Sequence, residues 1–150
     1  MYNPTAFQED NIDKLVAFMR ANSFATLVSS VDGVPCASHI PLVITMQGDV
    51  VKLSGHLAKP NPQWQAFGSA ESLAIFTGPH AYISPTQYEK HESVPTWNYI
   101  AVHAYGVPKI IMLKDSPKAM NEMINQMIDT YEVDYQGSIP ILQIDCLQLK

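Results

Sequence analysis

The sequence predicts an α+β domain, mainly β, built on an antiparallel barrel with flanking helices. Three observations predict it. Apolar residues recur at helical spacing near the start (Ile12, Leu15, Val16, Met19) and late in the chain (Met120, Met123, Ile124, Met127, Ile128), with Val-, Ile- and Tyr-bearing strand candidates between them. Asp32-Gly33 and Gln47-Gly48-Asp49 are turn signals of the kind that join neighbouring antiparallel strands. Finally, there is no Gly-x-Gly-x-x-Gly, no Gly-rich loop ending in Lys-Ser/Thr and no internal repeat, so a doubly wound nucleotide-binding sheet lacks its signature.

Each element follows from local chemistry. Residues 11–21 read as an amphipathic helix with Asp10 as its N-cap. Residues 24–30 form a strand candidate, and the Asp-Gly pair turns it into a second strand over 35–45. After Gln47-Gly48-Asp49, residues 50–54 complete a three-stranded meander. Asn61 as N-cap and Pro62 at the first helical position start a short helix through Phe67. Residues 73–77 are a buried strand, continued over 80–84 after a kink or bulge at Gly78-Pro79. Residues 86–95 are irregular. Residues 99–113 form a long strand that Gly106 and Pro108 bend, as a curling barrel wall requires. Ser116-Pro117 opens the second long helix, and residues 139–149 supply a last strand.

Composition bounds the partners. A chain of 150 residues, 47% hydrophobic and 15% charged, with no Gly/Ser-rich or charged linker, is expected to form a single domain over 1–150 and to carry enough apolar surface for a dimer interface. Fourteen acids against nine scattered bases, a net charge of -5, argue against an electrostatic grip on DNA. The start lacks the basic and apolar regions of a signal peptide, and no run approaches a membrane span. Two cysteines, Cys36 and Cys146, fit a reduced, cytoplasmic protein. Cys36 and His39 make a lone Cys-x-x-His, and no second ligand pair accompanies it, so no bound metal is expected. Cys36 reads as a buried small residue, and the Met-rich helix face as core packing.

Two segments break the barrel pattern. Gly55-His56-Leu57-Ala58-Lys59-Pro60-Asn61-Pro62-Gln63-Trp64 places an imidazole and a cation before an Asn-Pro helix start, where backbone amides and a helix dipole favour an anion. A phosphate fits there, with Lys59, His56 and Asn61 as its candidates. Pro95-Thr96-Trp97-Asn98-Tyr99 sets an indole and a carboxamide beside a phenol, which suits a flat conjugated ligand. Phosphate and flat ring together suggest a flavin nucleotide. Trp64 reads as core, whereas Trp97, with polar neighbours, reads as facing a ligand or partner. Ser38 and His39, polar in an apolar strand, either face solvent or touch the ligand, and for Tyr82, Ser84 and His103 a structural hydrogen bond is the expected role.

With Met1-Tyr2-Asn3-Pro4, Ser38-His39-Ile40-Pro41-Leu42, Gly78-Pro79-His80-Ala81-Tyr82-Ile83-Ser84-Pro85 and Val102-His103-Ala104-Tyr105-Gly106, these segments occur in an order that resembles the PaiB-type FMN-binding negative transcriptional regulators, from Met1 to about Ile111. The resemblance implies an antiparallel FMN-binding split β-barrel of the flavin reductase and pyridoxamine-phosphate oxidase type, and a homodimer with FMN at the subunit interface. It implies phosphate contacts from Lys59 and the segment after Asn61, ring-edge or ribityl contacts from Ser38, His39 and Asn98, and a flavin-facing Trp97. It assigns no catalytic residue. The family's usual basic C-terminal extension is not found before Lys150. Two further functions share such a pocket: a flavin-dependent oxidoreductase or flavin reductase, and a haem-binding relative.

Overall fold

Hairpin chemistry starts the sheet. In the computed structural model, which describes residues 3–88, 94–111, 117–131 and 141–149, Asp32 and Gly33 adopt φ values of 51° and 79°. This left-handed pair matches a type I′ turn. It holds β1 (Phe24–Val31) against β2 (Val34–Pro41) in antiparallel register from Val31↔Val34 to Phe24↔Pro41. Gly48, at φ 60°, turns β3 (Val43–Gln47) into β4 (Val50–Gly55) by another two-residue turn, with only its first residue left-handed, as in a type II′ turn. The long strands β5 (Ser72–Ile83) and β6 (Thr96–Ile111) and the last, β7 (Ile141–Leu149), complete a seven-stranded sheet of order β2-β1-β5-β6-β7-β4-β3. Each ladder in it is antiparallel.

This order corrects the expected meander. The strand expected over 35–45 is broken at Leu42, and its halves, β2 and β3, occupy opposite edges of the sheet. Leu42 is fully buried and donates its N–H to the Ser23 carbonyl at 2.9 Å, so the chain leaves one ladder there before entering the other. One residue separates the two edge strands. The sheet therefore curls until its edges approach, which makes a barrel from an otherwise open sheet. Gly55 marks the tightest point of that closure: a Cβ there would lie 2.8 Å from Leu42 Cδ2 and 3.1 Å from the Pro41 carbonyl oxygen.

The helices α1 (Ile12–Ala21) and α2 (Pro117–Tyr131) pack on the sheet, α1 against β3 and β6 and α2 against β3 and β7. α1 buries Val16 and Met19 in the core, and Phe18 lies so close to Gly78 that an added Cβ would sit 2.7 Å from its ring. Its N-cap is Asn11 rather than Asp10, because Asn11 is the extended residue whose side chain accepts from the Lys14 N–H at 3.1 Å. The expected helix after Asn61 is a 3₁₀ turn, Pro62–Ala66, because Phe67 returns to an extended conformation with its N–H on the Trp64 carbonyl. In α2, Ile124 and Met127 are partly buried against the same apolar cluster as Ile111. Its expected opening residue Ser116, and the side chains of Met120 and Met123, lie outside the described residues. So do Leu113 and residues 139–140, at the ends of two expected strands, and residues 89–93 of the irregular segment.

β5 carries the expected bulge, between Thr77 and His80, and β6 shifts register against β7 between Tyr105 and Gly106, where a bend was expected. β6 also begins three residues earlier than its pattern suggests, because Thr96 to Asn98 pair with Ile83 to Ala81. The barrel core gathers Met19, Leu27, Leu42, Leu53 and Phe76, each fully buried and each worth roughly 1.5–3 kcal/mol of transfer free energy. Among the described residues no helix is long and apolar enough to cross a membrane.

Candidate functional site

Strand alternation sorts the candidate residues onto two sides of the sheet. On β2, Ser38 is level with the buried Leu27 of β1 and faces inward, whereas His39 is level with Thr26 and faces outward. Behind β2 lies the loop that leaves β4 at Gly55. Its turn is closed by the Asn61 N–H on the Ala58 carbonyl at 2.8 Å. Asn61 Nδ2 donates to Ser38 Oγ at 2.8 Å, and Asn61 Oδ1 accepts from the Gln63 N–H at 2.9 Å. Trp64, half-buried against the core as its core reading expects, donates its indole N–H to the Lys59 carbonyl at 3.1 Å. The backbone around Lys59 is thus held on both sides while its side chain is exposed, and among the described residues no acid pairs with its ammonium.

His56 opens this loop. Its Nδ1 is buried and has no hydrogen-bond partner among the described residues, an orphaned group that a ligand or water can satisfy. Ser38 and Asn61 are in a different state, since each spends polar atoms on the other. The five-residue 3₁₀ turn that follows is too short to develop the dipole of a full helix, so Lys59 supplies the site's positive charge.

The outward side of the sheet is aromatic. His39 Nδ1 lies 3.0 Å from Thr26 Oγ1, leaving Nε2 available, and its ring stacks on Phe24 with centroids 6.3 Å apart. Across the sheet in the same row as His39 and Thr26 come Ile75 and His103. Alternation along β6 continues this face through Trp97, Tyr99, Ala101, His103 and Tyr105. Beyond Thr77, β5 and β6 run on as a two-stranded ribbon on which Trp97 meets Tyr82 edge to face (5.7 Å) and His80 at a tilt (6.0 Å). Trp97 and Tyr99 each remain 58% exposed.

Ser38 and Asn61 are therefore brought into contact, with Lys59 and His56 on the same loop, and His39 is on the reverse side of the same edge strand. Trp97 and Asn98 belong to a separate ribbon and, as strand neighbours, point to opposite sides of it. Ser84 does hold the structural bond expected of it, accepting from the Thr86 N–H at 3.3 Å. For His103 the structure differs: its Nδ1 is buried without a partner among the described residues, and burial lowers its pKa below the ordinary histidine value. Cys36 is only half-buried, because β2 is an edge strand. Among the described residues no group of three His, Cys, Asp or Glu is placed to hold a metal ion.

Sequence reasoning missed Gln63, which is completely buried and donates to the Leu27 carbonyl (2.8 Å), the Ser29 hydroxyl (3.2 Å) and the Cys36 carbonyl (3.3 Å). Ser29 in turn bonds Ser72 of β5 at 2.7 Å. Phe24 and Thr26, which flank His39, were within reach of sequence reading, because alternation along β1 already separates them from Ala25 and Leu27. Nothing local to Gln63 marks it, since all of its acceptors come from other strands.

A barrel split between two edge strands, with a basic loop behind one of them, defines the class: an antiparallel split barrel. The family model described as "Putative FMN-binding domain" matches residues 1–145, and the chain belongs to that family. It is 43% identical over 133 residues to the "Protease synthase and sporulation protein PAI 2" of Bacillus subtilis, covering 88% of this chain and 62% of that protein. The chain spans about three fifths of the length of the curated relatives it matches, 62% and 60% for two of them. The fold is also that of an FAD-binding protein from Mycobacterium smegmatis (TM-score 0.59, 8% identity, covering 93% of this chain and 91% of that one). The flavocytochrome Anf3 from Azotobacter vinelandii shares it as well (TM-score 0.65, 13% identity, 94% and 66%).

Proposed function

We propose that this chain binds FMN non-covalently, as a member of the PaiB-type regulators, in a site shared between two copies. The observation that carries the reading is Lys59: an ammonium without an acidic partner among the described residues, on a backbone held by Asn61 and Trp64, in a chain whose family is described by FMN binding. The donor set suits the group. Lys59 neutralises the phosphate, the orphaned His56 Nδ1 lies at the start of the same loop, and His39 Nε2, on the other side of the edge strand β2, is available to a ribityl chain or ring that passes around that edge. FMN, when bound, supplies electron-transfer chemistry, and the protein's groups bind, orient and shield it.

The ribbon supports a shared site. A two-stranded ribbon is marginal by itself, and this one exposes Tyr82, Trp97, Tyr99 and Ile100. A second copy covers that surface and brings Trp97 or Asn98 to a flavin whose phosphate rests on the other subunit's Lys59 loop. We take the regulatory role to be exerted without a strong direct grip on duplex DNA, given nine scattered bases against fourteen acids.

Lys59→Ala tests the site. FMN binding weakens by about 1.5–3 kcal/mol, roughly ten- to a hundredfold, while riboflavin, which has no phosphate, is much less affected. Unchanged FMN affinity refutes the assignment, and equal loss for both flavins places Lys59 away from the phosphate. The absorption spectrum of the purified protein separates flavin from haem, and turnover of a reduced nicotinamide by the flavin-loaded protein would favour the oxidoreductase reading.

A further inference from the structure

We propose that Gln63 is the positioning residue of this site: its buried carboxamide holds the Lys59 loop in the shape that receives a phosphate. The inference rests on reading that loop as the phosphate end of the FMN site. Gln63 is wholly inaccessible to solvent, so it does not touch a ligand itself. Its place in the chain is informative, because it is the second residue of the 3₁₀ turn that ends the loop. Its amide donors reach β1 at Leu27 and Ser29 and β2 at Cys36, and through Ser29 they are tied to Ser72 on β5. One side chain thereby anchors the loop to three strands.

The carboxamide orientation follows from these acceptors. Turned over, Gln63 would set its oxygen against two carbonyls, so the nitrogen takes that side and Oε1 is left buried without a partner among the described residues. An apolar side chain of similar length would fill the volume without stranding that oxygen. What it would lack is the directional hold on Leu27 and Cys36. From Gln63 the hold passes outward: its N–H is bound by Asn61, Asn61 is bound to Ser38, and the Trp64 indole next to it takes the Lys59 carbonyl. A cation on a backbone ordered in advance binds an anion with little further loss of conformational freedom.

A plain packing role makes a different prediction, because it would affect global stability and every ligand alike. The experiment compares Gln63→Met, which keeps the length and removes the donors, with Gln63→Leu, which removes them with a shorter apolar side chain. FMN and riboflavin dissociation constants are read from flavin fluorescence, and backbone ordering from amide hydrogen exchange. The expected result is FMN weakened about tenfold, the fold-change of roughly one net hydrogen bond, with riboflavin changed by less than about twofold. The amides of Asn61 and Gln63, each hydrogen-bonded in the loop, should exchange faster while those of β1 and β5 hold their protection. Equal weakening of both flavins, or unchanged exchange in the loop, overturns the proposal.

If the Gln63 variants do not fold, Ser29→Ala removes one acceptor and the Ser72 bond at little change in volume. It should show the same FMN-selective loss at about threefold, and no selectivity there also overturns the proposal. Lys59→Ala is measured beside them. Should it leave FMN unchanged, the phosphate reading has failed and the ligand half of this inference with it, while hydrogen exchange still decides whether Gln63 orders the loop.

Discussion

Gly55→Ala probes the closure from which the Lys59 loop departs. The added Cβ meets Leu42 Cδ2 at 2.8 Å and the Pro41 carbonyl oxygen at 3.1 Å. Leu42 is fully buried and so has no empty space to turn into, and the second contact is backbone. Overpacking of this kind costs about 1–3 kcal/mol, and a clash with backbone belongs in the upper half of that range. Gly55 has no positive φ, so alanine returns about 0.4–1 kcal/mol by restricting the unfolded chain. The net expectation is a loss of about 1.5–2 kcal/mol, or roughly 3–8 °C in Tm at this chain length. Calorimetry and urea titration measure it. Gly48→Ala is the control, since Gly48 has open space around it and a φ of 60°; its loss, about 1 kcal/mol, comes from backbone strain alone. Leu42→Ala removes the clashing methyl, so combined with Gly55→Ala it should cost about 1 kcal/mol less than the sum of the two. A Gly55→Ala protein within about 0.5 kcal/mol of the native one, or strict additivity with Leu42→Ala, refutes the close-approach account.

Two other expectations concern the outward face. Because burial lowers the His103 pKa, the unfolded chain binds this proton more readily than the folded one. The contribution of His103 to stability is thus complete above its unfolded pKa of about 6.5 and is lost as pH falls toward the lower folded value. Urea midpoints measured from pH 7.5 to 5 should fall more for the native protein than for His103→Phe, and parallel curves would remove histidine from the account. The native chain should be a dimer by light scattering at micromolar concentration, and Trp97→Ser with Tyr99→Ser should raise its dissociation constant at least about tenfold, as truncation of buried interface aromatics does. A native monomer, or a double variant that dimerises unchanged, would move the interface away from the ribbon.

Much of this molecule is written locally. The Asp32-Gly33 turn, the bulge beside Gly78-Pro79 and the apolar face of α1 follow from backbone preference and periodicity within a few residues, and each is where the sequence places it. Lys59 was conspicuous for the same reason, as a lone cation beside an Asn-Pro turn. Strand order is another matter. Nothing near Leu42 says that β2 and β3 part to opposite edges, or that β5 enters beside β1 and β7 beside β4. Ladder hydrogen bonds are made by a backbone common to all residues, so a strand's pattern states which face it buries and not which strand lies next to it. Gln63 shows the consequence: its acceptors lie 27 to 36 residues away in the chain, and only the curled sheet gathers them around one amide. The sequence alone could propose a charged loop. The tertiary structure decided what holds that loop in place, because a buried polar group is defined by the partners that packing brings to it.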